Sequence, residues 1–385
     1  MKNLLEDFQP VSKAEWLAKM EKDLKGKPLS DLQWHISETV STPPFYHPED
    51  MSRPAPPLLK GRSSNEWAIG EYINVKAPED AHTALMEGLN GGVEAPLFRL
   101  YQPIGEADIA LLLSGVAPEM VALNFGEYYT NKAPEALFHT FANWLNKQKA
   151  PLKNIAGSID FDPLLDWSEP PIQTLAQLMR NCIEKMPLFR PLQVNAKTFH
   201  GGPEQVVDEL AMTLAKGNAY LNALEAEGIN SQAANAHLQF GLAISKSYFV
   251  EIAKLRAFRL LWANILKGHG SIGQPFITAH FAHESQDDKV NTNIIRASTQ
   301  AMSAVIGGID RLYVLPSNHV TGEPDQPFGR RIARNVQHLL KMESHLHRVA
   351  DPGAGSFLIE KLTAQLAEQA WARFQELDQQ QAFGF

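Results

Sequence analysis

Eight short runs rich in β-branched and aromatic residues alternate with longer segments of helical period between residues 66 and 345. The runs are residues 69–75, 96–101, 120–125, 155–161, 192–196, 238–243, 276–281 and 311–316. Strands that alternate with helices form parallel sheets with helical crossovers, and eight units over about 280 residues match a closed barrel better than an open sheet. The sequence therefore predicts an α/β fold, a (β/α)₈ TIM barrel, with a doubly wound sheet as the main competitor.

The residues on either side of the barrel differ from it in pattern. Near the start, a helical segment carries Ser12 as a cap with Glu15 three residues later, which is the spacing of a capping box. Prolines then follow at positions 43, 44, 48, 54, 56 and 57. Because proline removes backbone donors, this stretch has no compact core of its own, and we expect it to lie across another surface. We divide the chain into residues 1–60, an N-terminal extension; residues 61–350, the barrel; and residues 351–385, a C-terminal loop and helix.

Charge and composition exclude several classes of protein. The chain has 385 residues, with 35 basic and 43 acidic side chains and a net charge of −8, which argues against a nucleic-acid partner. Hydrophobic residues make up 44% of the chain, enough for a large core. The sequence has no run of 18 apolar residues and no apolar signal segment at its start, so we expect a cytoplasmic protein with no membrane contact. Its single cysteine, Cys182, excludes an intrachain disulfide.

Polar residues at the predicted carboxyl ends of the strands are the candidates for chemistry, because active sites of such barrels lie there. Asp160 and Asp162 end the fourth strand and could hold an ion or act as an acid/base pair, or could cap a loop. The run HFAHE supplies His280, His283 and Glu284, but it lacks the helical HExxH spacing of zinc proteases. We expect no metal, and a metal-dependent TIM-barrel hydrolase stays an alternative. Glycine pairs occur, but none forms a P-loop.

The helical segment 245–267 is apolar around most of its perimeter, so it must be largely buried. It nevertheless contains Arg256 and Arg259. Buried arginines need partners, and we expect either structural ion pairs or a carboxylate from an interface or a substrate.

Four runs together resemble the methylmalonyl-CoA mutase family: EIAKLRAFRLLW (251–262), IIRASTQAMSAVIGGID (294–310), RRIARNVQHLLKMES (330–344) and DPGAGSF (351–357). NEWAIGEY and LNGGVEAPLF resemble its small subunit in particular. The resemblance implies a barrel that threads coenzyme A through its centre and meets adenosylcobalamin held by a separate domain. It also implies an isomerase that interconverts (R)-methylmalonyl-CoA and succinyl-CoA by radical chemistry supplied by the cofactor.

The family's reactive positions fall on altered residues in this sequence. Its active-site tyrosine matches Tyr72 in WAIGEY, but the glutamine that ends the fourth strand falls on Asp160. The arginine that grips the substrate carboxylate falls on Gln173, and the histidine at the thioester carbonyl falls on Thr198, two residues from His200. Without the guanidinium, a carboxylate in a dry barrel would be left unpaired. We therefore expect none of these degenerate positions to be catalytically functional.

The resemblance thus implies a non-catalytic small subunit that supports a large catalytic subunit, with residues 1–60 wrapping that partner. The sequence contains no D-x-H-x-x-G cobalamin motif, so we expect the partner to hold adenosylcobalamin and this chain to bind no cofactor. The alternative is an active acyl-CoA mutase barrel that works with a separate cobalamin-binding chain and could admit a coenzyme A thioester. The barrel interior distinguishes the two, since an open tube favours catalysis and bulky plugs favour scaffolding.

Overall fold

The computed structural model describes residues 11–50, 62–321 and 326–384. Its centre is a parallel sheet whose strands follow one another around a ring in chain order, each paired with the next. The strands are β1 (Ala68–Val75), β2 (Ala95–Leu100), β3 (Leu123–Glu127), β4 (Gly157–Ile159), β5 (Phe189–Arg190 and Leu192–Asn195), β6 (Leu238–Ile244), β7 (Ile277–Phe281) and β8 (Arg311–Tyr313). β8 pairs with β1, so the predicted (β/α)₈ TIM barrel is confirmed.

The fifth strand is divided into two parts, and each part pairs with a different neighbouring strand, so that the ring is continuous. Its first part pairs with β4 and its second part pairs with β6, while Pro191 lies between them. A proline has no N–H to donate to the ladder, so pairing breaks at that residue. The sequence placed this strand at 192–196 only and missed its first part.

The helices surround the sheet. They are α1 (Lys13–Leu24), α2 (Pro78–Asn90), α3 (Glu106–Leu112), α4 (Pro134–Lys147), α5 (Pro163–Asp166), α6 (Ile172–Lys185), α7 (Val206–Ala226), α8 (Ser231–Ala236), α9 (Tyr248–Gly268), α10 (Val290–Ile306), α11 (Pro327–His338) and α12 (Phe357–Gln379). A π-helical turn, Leu339–Glu343, extends α11. None of the helices in the described ranges has both the length and the apolar character needed to cross a bilayer.

Side chains alternate between the two faces of each strand, as the pleat requires. In β8, Leu312 faces the helices, while Arg311 and Tyr313 face the barrel axis; all three are buried. β6 is buried over its whole length and places Gln239 on the axis. The outward residues build an apolar core between sheet and helices, and the inward ones build the interior considered below.

The buried arginines of α9 have structural partners, which confirms the ion-pair interpretation. Arg256 pairs with Asp351 and, at 2.9 Å, with Glu360 of α12. Arg259 lies 2.9 Å from Asp310, just before β8. These bonds tie the C-terminal helix and the last strand to α9, so the charge is compensated inside the fold.

The N-terminal extension begins with α1, whose predicted capping box is present: Ser12 and Glu15 exchange hydrogen bonds. α1 buries none of its residues. Further along, Ile36 and Val40 join the main core, and Gln369 of α12 donates to the carbonyl of Thr39 at 2.8 Å. Part of the extension therefore packs on its own chain, while residues 51–61 lie outside the described residues.

Candidate functional site

A cavity of about 790 Å³ opens at the carboxyl ends of the strands. Its volume is in the range of small-molecule sites. Of the positions taken from the family comparison, Tyr72, Asp160 and His200 line it, and so do the other candidates Asp162, His280, His283 and Glu284. Gln173 and Thr198 do not: Gln173 is exposed on the first turn of α6, and Thr198 is exposed with its hydroxyl donating to the Asn195 carbonyl at 2.9 Å.

The hydroxyl of Tyr72 is engaged in a chain of hydrogen bonds across two strands. Thr278 donates its only hydroxyl proton to the carbonyl of Phe240 at 3.2 Å, so its oxygen must accept from Nε2 of His280 at 3.2 Å. Burial, reinforced by the charges of Lys197 and Arg99, holds the pKa of His280 well below its usual value, so the ring is neutral. Its Nδ1 then lacks a proton and accepts from Tyr72 at 2.8 Å. The phenol proton is therefore engaged by His280.

The face of the Tyr72 ring is covered as well. The guanidinium of Arg99 lies 3.7 Å from the ring centroid, and the Tyr313 ring lies 5.3 Å from it at a tilt of 34°. Cation–π and tilted aromatic contacts of this kind are attractive and hold the ring in place. Burial raises the pKa of Tyr72, so its hydroxyl stays protonated.

Polar side chains fill the axis of the barrel below this cavity. Arg311, 3% exposed, donates to the side-chain oxygens of Asn124 at 2.6 Å and Gln239 at 3.2 Å. Gln239 donates in turn to Gln193 at 2.8 Å, and Ser158 donates to Asn124 at 2.9 Å. This network joins β3, β4, β5, β6 and β8 through the centre of the ring.

An aromatic stack lies beside the same network. The ring of Phe276 lies between two guanidinium groups, 3.7 Å from that of Arg190 and 4.8 Å from that of Arg311. Each contact has cation–π geometry. Bulky side chains thus occupy the region through which an extended ligand would have to pass along the barrel axis.

The two aspartates that end β4 have different roles. Asp162 is 2% exposed and accepts from Lys216 at 2.6 Å, from Tyr220 at 2.5 Å and from the backbone N–H of Asn195 at 2.8 Å. Asp160 faces the cavity, where burial raises its pKa despite the nearby charge of Lys197. Asp162 is therefore a structural anchor of the fold.

The histidines and the carboxylate of HFAHE also diverge. His280 bonds Tyr72, His283 Nδ1 lies 3.0 Å from Nε2 of His319, and Glu284 lies 2.8 Å from His200. Throughout residues 11–50, 62–321 and 326–384, no three ligand side chains group around a potential metal position. This arrangement does not favour the metal-dependent hydrolase.

His200 lies between two carboxylates, one of which is Glu284 at 2.8 Å from its Nε2. Its Nδ1 bonds Glu209 at 2.8 Å, and Glu209 also accepts from Lys254 at 2.9 Å. Burial by itself lowers the pKa of His200, but the hydrogen bond and charge of Glu209 outweigh it, so the pKa is raised. His200 is thus part of a buried ion network at the wall of the cavity.

Several residues of the interior were missed by the sequence reasoning. Arg99, Lys197 and Tyr128 line the cavity, and Arg311 and Tyr313 lie beneath it. A signal existed for some of them, since Arg99 interrupts the apolar run PLFRLY and Arg311 opens RLYVLP. A cation inside a strand that is otherwise apolar indicates the luminal face of a barrel.

Comparison with known proteins identifies the family of this chain. The family model described as methylmalonyl-CoA mutase matches residues 106–382. The chain belongs to the methylmalonyl-CoA mutase family. This confirms the resemblance found in the four sequence runs. Two of the three relatives described next are named as small subunits.

Three relatives illustrate the similarity. "Methylmalonyl-CoA mutase small subunit" of Porphyromonas gingivalis is 33% identical over 99% of this chain and 65% of its own length. The protein of the same name from Propionibacterium freudenreichii subsp. shermanii is 30% identical over 98% of this chain and 63% of its own. "Methylmalonyl-CoA mutase" of Cereibacter sphaeroides is 28% identical over 94% and 58%. The chain therefore spans less than two thirds of the length of these relatives.

Proposed function

We propose that this chain supplies the barrel of a methylmalonyl-CoA mutase small subunit that is not itself catalytic. In this proposal it forms a cytoplasmic complex with a large subunit, which binds adenosylcobalamin and interconverts (R)-methylmalonyl-CoA and succinyl-CoA. The names of the relatives from Porphyromonas and Propionibacterium support the assignment to the small subunit. The role of this chain is then to support the active subunit.

The filled barrel axis is the observation that carries the proposal. A thioester threaded along the axis would meet Arg311, Gln239 and Phe276, which are bonded or stacked to one another. Displacing them would leave several buried polar groups without partners, each at a cost of about 1–3 kcal/mol. The interior therefore favours scaffolding over the alternative of an active acyl-CoA mutase barrel.

The residues at the cavity do not fit a site for radical chemistry with adenosylcobalamin either. The matching tyrosine, Tyr72, directs its proton to His280 and has Arg99 over its ring. Gln173, which falls on the family's carboxylate-binding position, is exposed on α6 and outside the cavity. No step of the reaction is therefore assigned to this chain.

The first helix supports a contact with the large subunit. Trp16, Leu17 and Met20 lie on one face of α1, and all three are only half-buried. A helix with an apolar face that buries no residue against the described part of its own chain gains stability when a partner covers that face. Residues 1–60 would then wrap the large subunit.

The proposal is tested by reconstitution with a methylmalonyl-CoA mutase large subunit and adenosylcobalamin. We expect no turnover by this chain alone and a stable complex on size-exclusion chromatography. Met20→Asp should weaken the complex, whereas Glu21→Asp on the exposed side of α1 serves as the matched control. Turnover by a complex whose large subunit carries an inactivated barrel would overturn the assignment and favour the active-barrel alternative.

A further inference from the structure

The outer face of α11 and of the π-helical turn that follows it is apolar. Phe328, Leu339 and Met342 are each more than half exposed, and Ile332 is half-buried. With the exposed Asn335 they recur every three or four residues, so they form one stripe along the helix. A helix on the surface of a soluble protein usually turns its charged and polar residues outward. The outer stripe of α11 is the reverse of that pattern.

The inner face of the same helix explains the reversal. Arg330 and Arg334 turn toward the barrel and bond the carboxylate of Glu71 on β1 at 2.6 and 2.9 Å. Arg334 also donates to Glu87 of α2 at 3.1 Å. Charge therefore fastens α11 to the sheet and to its neighbouring helix, and the apolar side chains of the stripe are left facing outward.

Two charges of opposite sign flank the stripe at its two ends. Arg331 lies near the start, where its guanidinium is 5.8 Å from the centre of the Phe328 ring. Glu343 lies at the end of the π-helical turn. Both side chains are exposed, and neither forms an ion pair within the part of the chain that the structure describes. A surface of this kind complements itself when a second copy lies antiparallel to it.

We propose that this stripe is the contact between two copies of the chain, which cross antiparallel on a twofold axis near Asn335. Phe328 and Met342 lie seven residues before and seven residues after Asn335. Ile332 and Leu339 lie three before and four after it. A twofold axis at this point places each apolar side chain opposite an apolar side chain of the second copy, as a closed dimer requires.

The same axis brings the two charges together. Arg331 lies four residues before Asn335, and Glu343 lies eight after it. In the dimer they are therefore about one helical turn, or about 6 Å, apart along the axis, a distance that a long arginine side chain spans. The helix offers a face about 24 Å long and about 10 Å wide, which is less than the about 800 Å² per partner of a standard interface. The dimer should thus be weak and should dissociate on dilution.

This contact goes beyond the proposed function and lies on a different part of the molecule. The contact with the large subunit was assigned to α1, whereas the stripe belongs to α11 and to the turn after it. Self-association of the purified chain needs neither a large subunit nor a cofactor. Failure of the dimer therefore leaves the reconstitution experiment unaffected, and the reverse holds as well.

Sedimentation velocity of the purified chain over a range of concentrations tests the dimer. We expect an equilibrium between monomer and dimer. Leu339→Asp places a carboxylate in the apolar contact of both copies and should weaken the dimer by at least about thirtyfold. Leu111→Asp changes an exposed leucine on α3 in the same way, so it is the matched control and should leave the equilibrium unchanged.

An exchange of charges tests the antiparallel arrangement. Arg331→Glu and Glu343→Arg should each weaken the dimer, because like charges then face each other across the contact. The double variant restores the opposite pair and should recover the wild-type affinity. If Leu339→Asp does not fold, as judged by circular dichroism, this exchange of two exposed residues decides the matter alone.

Three results would overturn the assignment. One is a dimer that folded Leu339→Asp does not weaken. Another is a double charge variant that associates as weakly as the single ones. The third is a chain that stays monomeric at every concentration, and if Leu339→Asp then weakens the complex with a large subunit, the stripe belongs to that partner instead.

Discussion

Replacing Tyr72 by phenylalanine tests the central claim about the interior. The ring, the stacked guanidinium of Arg99 and the contact with Tyr313 would remain. The one group removed is the hydroxyl that donates to Nδ1 of His280, a histidine that is 2% exposed. Leaving a buried acceptor without a donor costs about 1–3 kcal/mol. We therefore expect the free energy of unfolding in urea to fall by that amount.

Turnover of the reconstituted complex should not change in the same variant. A tyrosine that transfers a proton or hydrogen-bonds the reacting group contributes a factor of about 10²–10⁴ to the rate. Because the phenol proton is held by His280, the complex that contains Tyr72→Phe should retain the wild-type kcat, measured per folded complex. Tyr248→Phe is the control for stability, since no hydrogen bond of that half-buried hydroxyl lies within the described residues.

Two outcomes would refute the reasoning. An unfolding free energy equal to that of the wild type would show that the bond between Tyr72 and His280 contributes nothing. A loss of turnover of about a hundredfold or more would assign the hydroxyl a catalytic role, as general acid–base groups have. Either result would remove the argument that the matching tyrosine serves the fold.

Three further predictions concern stability. Asp162→Asn should cost about 3–5 kcal/mol in urea unfolding, because it leaves Lys216 buried beside a neutral partner; a loss below about 1 kcal/mol contradicts this. Gly70→Ala should cost about 1–3 kcal/mol, because its Cβ would lie 2.5 Å from a carbonyl oxygen of β8, whereas Gly268→Ala meets open space. Since the pKa of His200 is raised in the fold, its stabilisation is complete below the unfolded value of 6.5 and is lost as the pH rises through the folded value. His200→Gln should therefore flatten the fall in unfolding free energy above that pH, and an unchanged slope would contradict the pairing.

The sequence predicted the barrel because the signals for it are local. Each strand is a short β-rich run between helical segments, and even the poorly alternating run 238–243 forms β6. The predicted ends were less accurate: 120–125 became Leu123–Glu127, 155–161 became Gly157–Ile159, and 311–316 became Arg311–Tyr313. Ladder bonds with the neighbouring strands set these limits, and a single run does not contain that information.

The interior could not be predicted in the same way, because its contacts join distant parts of the chain. Arg311 bonds Asn124, a residue 187 positions away, and Tyr72 bonds His280 across 208 positions. Reading the carboxyl ends of strands did find Asp160, Tyr72 and His200 at the cavity. The sequence does not reveal the direction of the hydrogen bonds among these side chains. That direction decides the role of each group.

Tyr72 shows why a residue retained in a family motif does not by itself establish chemistry. Its position on β1 and its orientation toward the axis both suit a catalytic group. Its hydroxyl has one proton, however, and the fixed sequence of bonds through His280 and Thr278 leaves only one direction for it. For the proton to reach a ligand, the neutral histidine would have to turn or change tautomer, and its buried ring would lose a hydrogen bond at each end. The barrel therefore uses this tyrosine to hold its own interior.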